Sequence, residues 1–243
     1  MTYCVGMRLN RGLVFMSDTR TSAGVDNFSV ARKMFTWEVI GERKITIMTA
    51  GNLATTQAMI SLLEERSKTA TERDPSILKL PTMFQTAQLV GNTLKEVISS
   101  STYNGQMSAS QFSASVIVGG QIGDGRPTIF MIYPEGNFIE ITDDTPFLQI
   151  GETKYGKPIL VRAYDPDMTF EEALKLLIVS FDSTVKSNLS VGLPFDVEIY
   201  ENGSFSSHRQ KRIETTDSVY QTISTNWGNA LRDAFQHLPI YEI

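Results

Sequence analysis

The first nine positions alternate. Tyr3, Val5, Met7 and Leu9 are apolar, while Thr2, Cys4, Gly6 and Arg8 between them are small or polar. A period of two is the pattern of a β-strand with unlike faces. Residues 13–20 form a second β-rich run, and Asn10-Arg11-Gly12 between the two reads as a hairpin loop. With Arg11 at the centre of a three-residue loop, Thr2 lies opposite Arg20 and Cys4 opposite Asp18. Opposed residues share a face, so Thr2, Cys4, Asp18 and Arg20 are expected together. A two-residue loop would shift this pairing by one position.

Residues 21–32 are polar, with Gly24 and Asn27, and are expected to be a loop. Residues 34–39 and 44–49 are β-type runs around Gly41-Glu42-Arg43, a second hairpin. From Leu53 the period becomes helical. Met59, Leu62 and Leu63 mark one face within 53–69, and Met83, Val90, Leu94, Val97 and Ile98 do so within 81–101. A second β block follows at 113–120, 127–133, 138–141 and 147–151. Helices resume near Gly156 and at Thr169-Phe170-Glu171-Glu172, a capping box leading into 173–185. Residues 195–200 read as a strand. A last helix is expected over 217–237, with Trp227, Leu231 and Phe235 at helical spacing. Two β blocks alternating with helix pairs predict an α+β fold: two antiparallel sheets stacked face to face, each covered by helices. No linker or repeat divides the 243 residues, so one domain over 1–243 is expected.

Composition narrows the chemistry. With 41% hydrophobic and 20% charged residues the chain is that of an ordinary soluble protein, and a net charge of −5 argues against nucleic acid or an anionic membrane as partner. The one basic cluster, His208-Arg209-Gln210-Lys211-Arg212, reads as a solvated turn. A single cysteine, Cys4, precludes an internal disulfide and fits a reducing cytoplasm. No Cys/His spacing suits a metal, and no apolar run approaches the ~20 residues of a membrane span. No metal, cofactor or membrane partner is expected.

Thr2 carries the sharpest candidate chemistry. Initiator methionine is normally removed before a small residue, which would leave Thr2 with a free α-amine of pKa about 7.7–8.0. Such an amine serves as general base to the adjacent hydroxyl. Lys33, just after the polar loop, could face Thr2 together with Asp18. Its ammonium would favour the neutral amine and stabilise negative charge developing on the hydroxyl, while Asp18 held the ammonium in place. Taken singly, Thr2 is a strand's first residue and Lys33 a surface lysine. Other motifs read as structural. Ser183-Thr184-Val185-Lys186 matches Ser-x-x-Lys but lacks its companion signatures. The glycine-dense stretch at 119–125 is a flexible connection, and the acidic pairs Asp143-Asp144 and Glu171-Glu172 sit in a turn and a helix's first turn.

In this order, Thr2, Met16-Ser17-Asp18-Thr19-Arg20, Arg32-Lys33-Met34 and Thr49-Ala50-Gly51-Asn52 resemble the proteasome β-subunit family of N-terminal nucleophile hydrolases. The likeness continues more weakly through Gln149-Ile150-Gly151, the helix at 169–185 and Phe195-Asp196-Val197. The Met-Thr-Tyr-Cys-Val-Gly start and the run from Ser187 to Pro194 are similar to its bacterial branch Anbu, the proposed ancestral β-subunit. The resemblance implies a four-layer αββα sandwich. It also implies Thr2 as nucleophile with its own amine as base, Asp18 and Lys33 as charge pair, and the Gly51 N–H as oxyanion donor. Arg20 is a further supporting candidate. Around the amine the chain departs from the family. Glu152 stands where a serine is usual and Asn188 where an aspartate is usual; the next expected serine is Val191, with Ser190 beside it. A carboxylate at Glu152 would keep the amine charged and make it a poorer base. Residues 202–243 have no counterpart in the family and are expected at a subunit interface.

Three functions follow as expectations. The first is a threonine peptidase, self-assembled as a ring or spiral around a peptide or amide substrate. The second is a proteasome-like scaffold whose site is silent or specialised. The third is an amidase for small amide or γ-glutamyl substrates. No ATP-binding motif is present, so unfolding would fall to a separate accessory protein.

Overall fold

In the computed structural model, residues 2–22, 28–68, 76–102, 109–206 and 209–242 are described. Met1, whose removal is expected, and His208 of the basic cluster lie outside them. The opening hairpin forms as β1 (Tyr3–Leu9) and β2 (Gly12–Asp18). Its register differs by one from that expected: Leu9 pairs with Gly12 and Cys4 with Ser17, so the turn is the two-residue Asn10-Arg11. Gly12 is a strand residue rather than a turn residue, and its reason lies far away in sequence. A Cβ on Gly12 would come within 2.0 Å of the Tyr200 carbonyl oxygen. The glycine thus permits close approach of β11 (Phe195–Glu201), which pairs with β2 along its whole length. The shift separates Asp18 from Cys4 and moves Arg20 out of the strand. Arg20 instead opens β3 (Arg20–Ser22), which pairs with β4 (Phe28–Val30) where a loop was expected.

Two five-stranded antiparallel sheets make up the centre. One has the order β10-β1-β2-β11-β12, with β10 at Phe147–Gly151 and β12 at Arg209–Ile213. The other runs β5 (Met34–Val39), β6 (Arg43–Gly51), β7 (Ala114–Ile122), β8 (Thr128–Ile132) and β9 (Phe138–Glu140). Gly119 and Gly120 lie inside β7, so only part of the glycine-dense stretch is a connection. Cys4, Phe15, Met48, Ile117 and Ile150 are among the buried residues packed between the sheets. Helices α1 (Leu53–Lys68) and α2 (Met83–Thr102) cover the second sheet through Met59, Leu63, Val90 and Leu94. The first sheet is covered by α3 (Lys157–Ala163) and α4 (Phe170–Ser187), which pack on Tyr3, Val5 and Met7. The layers therefore run α, β, β, α. The expected capping box starts α4: Thr169 Oγ1 accepts the Glu172 N–H, and the Glu172 carboxylate accepts the Thr169 N–H.

The basic cluster is an edge strand, not a turn. In β12, Arg212 grips Asp196 through two hydrogen bonds of 2.7 and 2.9 Å. Charged side chains along an edge discourage pairing with further strands. The last helix, α5 (Ser218–Gln236), docks on α4 where the Tyr220 hydroxyl donates to Asp182. Past Gly228 it leaves this support, and Leu231, Phe235, Leu238, Ile240 and Tyr241 are exposed.

The sheets are also joined by charge. Lys44 on β6 and Glu198 on β11 meet at 2.7 Å with both side chains fully buried, and Glu198 accepts further bonds from Thr46 and Gln210. Removing one partner leaves the other charged and dehydrated. Lys44→Met is expected to cost about 3–5 kcal/mol, read as a lower denaturant midpoint, whereas Lys44→Met with Glu198→Leu should recover most of that loss.

Candidate active site

Strand pairing brings the chain's beginning to the sheet's rim. Thr2 is 7% exposed, and its carbonyl accepts the Glu152 N–H at 2.6 Å, one step past the last β1–β10 pair, Tyr3 with Gly151. The next N–H, that of Tyr3, donates to Asp18 Oδ1 at 3.0 Å. Lys33 Nζ donates to the same oxygen at 2.7 Å and to the Arg20 carbonyl at 2.6 Å. Asp18 Oδ2 accepts the Gly192 N–H at 3.4 Å. Burial pushes the Asp18 carboxyl above its ordinary value, and the Lys33 ammonium and the two N–H donors oppose that rise. The pair is held in place from the other sheet as well, since the Lys33 carbonyl accepts the Thr49 N–H of β6.

Gly51 ends β6 with φ near +114°, a conformation that suits glycine alone. Asn52 sends its N–H across to Ser113. Successive N–H groups of a strand point to opposite edges, so that of Gly51 faces the edge lined by Lys33. Asn52 then caps α1 by accepting the Thr55 N–H at 3.0 Å, which sets the positive end of a helix dipole beside Gly51. Lys33 is thus tied through Asp18 to the strand that Thr2 precedes, and the Gly51 N–H faces the edge where Lys33 lies.

Arg20 is placed otherwise than expected. Its guanidinium donates to the carbonyls of Leu189 and Val191 and lies over the Phe28 ring; only its backbone carbonyl reaches Lys33. The one-residue register shift is the physical cause. Glu152, Asn188 and Ser190 do come together. Asn188 Nδ2 donates to Glu152 Oε2 at 2.9 Å, the Lys154 N–H donates to Oε1, and the Ser190 N–H donates to Asn188 Oδ1. Ser190 enters through its backbone, and Val191 is buried against α4.

Sequence reading missed two contributors, the N–H groups of Tyr3 and Gly192, because backbone donors leave no compositional trace. The Tyr3 hydroxyl, bonded to Ser180 and Gln149, further anchors the strand; burial raises its pKa to about 12, so it stays neutral. Lys186 of the Ser-x-x-Lys match is paired with Asp182, which removes that motif as a nucleophile. A cleft of about 580 Å³ between α3, α4 and α5, lined by Ile159, Met168, Leu176 and Trp227, includes none of the site residues.

A sequence model described as "Proteasome subunit" matches residues 2–199. The chain belongs to the proteasome subunit family. Among solved structures, an Anbu (Gly-1) mutant from Hyphomicrobium sp. strain MC1 is 47% identical, with a TM-score of 0.92 and 100% of both chains covered. The helical assembly of the Anbu complex from Pseudomonas aeruginosa is 43% identical, with a TM-score of 0.91, covering 99% of this chain and 98% of that one. Proteasome subunit beta 2 of Pyrobaculum neutrophilum is 30% identical over 200 residues, 82% of this chain and 88% of its own. The family match stops before β12 and α5, whereas the Anbu structures extend over them. The fold is that of the N-terminal nucleophile hydrolases.

Cys4 carries a thiol two residues from Thr2, and its surroundings silence it. It is fully buried, its thiol points at the Thr49 carbonyl, and burial pushes the thiol pKa far up. Iodoacetamide should leave the native protein unmodified at neutral pH and alkylate Cys4 fully in denaturant. Rapid labelling of native protein would contradict this environment.

Proposed function

We propose that this chain is a threonine hydrolase of the proteasome type, acting on peptide or amide substrates within an assembly of identical copies in the cytoplasm. The buried Asp18–Lys33 pair beside Thr2 carries the reading, since Asp18 also accepts the N–H of Tyr3, the residue that follows Thr2, and so supports an ammonium next to the candidate nucleophile. After loss of Met1, the Thr2 amine accepts the hydroxyl proton as Oγ1 attacks the substrate carbonyl. Lys33 stabilises the developing charge at the hydroxyl, and the Gly51 N–H receives the oxyanion. The amine returns the proton to the leaving nitrogen, and water, activated by the same amine, then cleaves the ester left on Thr2.

The substituted pair Glu152 and Asn188 favours a second reading, a proteasome-like scaffold with a quiet site, because a carboxylate there disfavours the neutral base. Intact mass and Thr2→Ala separate the two. Loss of one methionine, together with amide hydrolysis that falls on the order of a thousandfold or more in Thr2→Ala, supports the hydrolase. Retained Met1, or turnover that survives the substitution, removes it.

Self-assembly draws support from the helical assembly of the Pseudomonas aeruginosa relative and from the apolar side chains exposed beyond Gly228. We assign residues 202–243, and the end of α5 above all, to contacts between copies. Sedimentation should show a large species for the native chain and a smaller one for Leu231→Asp with Phe235→Asp. A native chain that sediments only as monomer would rule out confinement of substrate.

A further inference from the structure

Four carboxylates are buried among the described residues: Asp18, Glu152, Asp182 and Glu198. Three have a lysine ammonium at 2.7 Å, namely Lys33 for Asp18, Lys186 for Asp182 and Lys44 for Glu198. Glu152 is the exception. Its side chain is held by neutral donors, the Asn188 amide and the Lys154 N–H, with no ion pair among the described residues. A buried carboxylate without a cation is costly, so this position calls for a positive charge.

The backbone shows where one would arise. Glu152 donates its N–H to the carbonyl of Thr2, the residue whose α-nitrogen becomes an ammonium when Met1 is removed. We propose that Glu152 is the counter-ion of that ammonium, held by Asn188, and that it sets the pH at which the Thr2 amine becomes a base. The proposal rests on the reading of Thr2 as the processed first residue.

The charges around this point give the sign. Asp18 approaches from β2 and Lys33 from the segment before β5; they are paired and cancel. From the end of α4 comes the neutral Asn188, while Lys186 is turned to Asp182 and Ser224. Tyr3 and Cys4 on β1 are neutral near pH 7. The Arg20 guanidinium is turned to the carbonyls of Leu189 and Val191 and to the Phe28 ring, and Lys154, which gives Glu152 its N–H, is exposed. Glu152, from the turn after β10 and bonded to the Thr2 backbone, supplies the negative charge that has no ion pair among the described residues. Negative charge favours the protonated amine, so the neutral base is populated at a higher pH than for a free amino terminus. Asn188 is a positioning residue here, because its amide fixes the carboxylate without adding a second charge.

The test needs no substrate. Full-length protein beginning at Thr2, released from a cleavable amino-terminal tag, is acylated at the α-amine with acetic anhydride across a pH series and read by peptide mass. Wild type should show its midpoint above the usual 7.7–8.0 for an amino terminus, and Glu152→Gln should lower that midpoint by about one pH unit, a tenfold gain in labelling near pH 7. Glu152→Asp, which keeps the charge, should restore most of the shift. A second measurement uses wild type alone. Acetylation of the amine removes its charge and should lower Tm by ~3 °C, whereas reductive methylation preserves the charge and should not. Equal midpoints in wild type and Glu152→Gln, or equal Tm after both modifications, would overturn the proposal. If the midpoints differ while Thr2→Ala retains hydrolysis, the counter-ion stands and the hydrolase reading falls. Coincident midpoints with Thr2-dependent hydrolysis give the reverse.

Discussion

The Asp18–Lys33 ion pair is the constraint on which the candidate site depends. Two charges are dehydrated there, and their attraction offsets that cost only because further polar groups converge on them. The Tyr3 N–H comes from β1, the Gly192 N–H from the loop after α4, the Arg20 carbonyl from β3, and the Thr49 N–H holds the Lys33 backbone from β6. Strands of both sheets and the loop after α4 are thus tied to one ion pair. Thr2 is anchored at its carbonyl, which accepts the Glu152 N–H, and through its neighbour Tyr3, which is fastened at backbone and side chain alike.

The stretch from Asn188 to Gly192 deserves comparison with that pair, since it serves both sides of the site. Its side-chain amide reaches Glu152, its carbonyls hold the Arg20 guanidinium, and its Gly192 N–H reaches Asp18. Arg20 therefore acts at a distance, by holding a loop that touches both carboxylates. A guanidinium suits this task because its donors are arranged in a rigid plane that carbonyl oxygens can meet.

Much of this was legible in the sequence where the pattern is local. The alternation around Val5, the helical faces marked by Met59 and Leu94, and the Thr169 cap each depend on residues within a few positions, and they formed as expected. That Lys33 would meet Asp18 near the chain's beginning was legible, and the two do pair beside Tyr3. The register was not, because Gly12 answers to the Tyr200 backbone and not to its own turn. The direction of Arg20 followed that error. The bond between Asn188 and Glu152 spans 36 positions and has no periodic signature. The charged stretch at 209–212 looked like a turn because charge suggests solvent, yet an edge strand faces solvent too.

The bare end of α5 has a consequence for the life of a newly made chain. A half-helix that offers Leu231 and Phe235 to water, with Ile240 exposed just beyond its end, is, to a cell's quality-control machinery, the mark of an unfinished molecule. If the end of α5 is the contact between copies proposed above, a newly made copy would carry that mark until a neighbour covered it. Abundance and completeness would then be linked: surplus copies would be cleared, and those that had found partners would be spared.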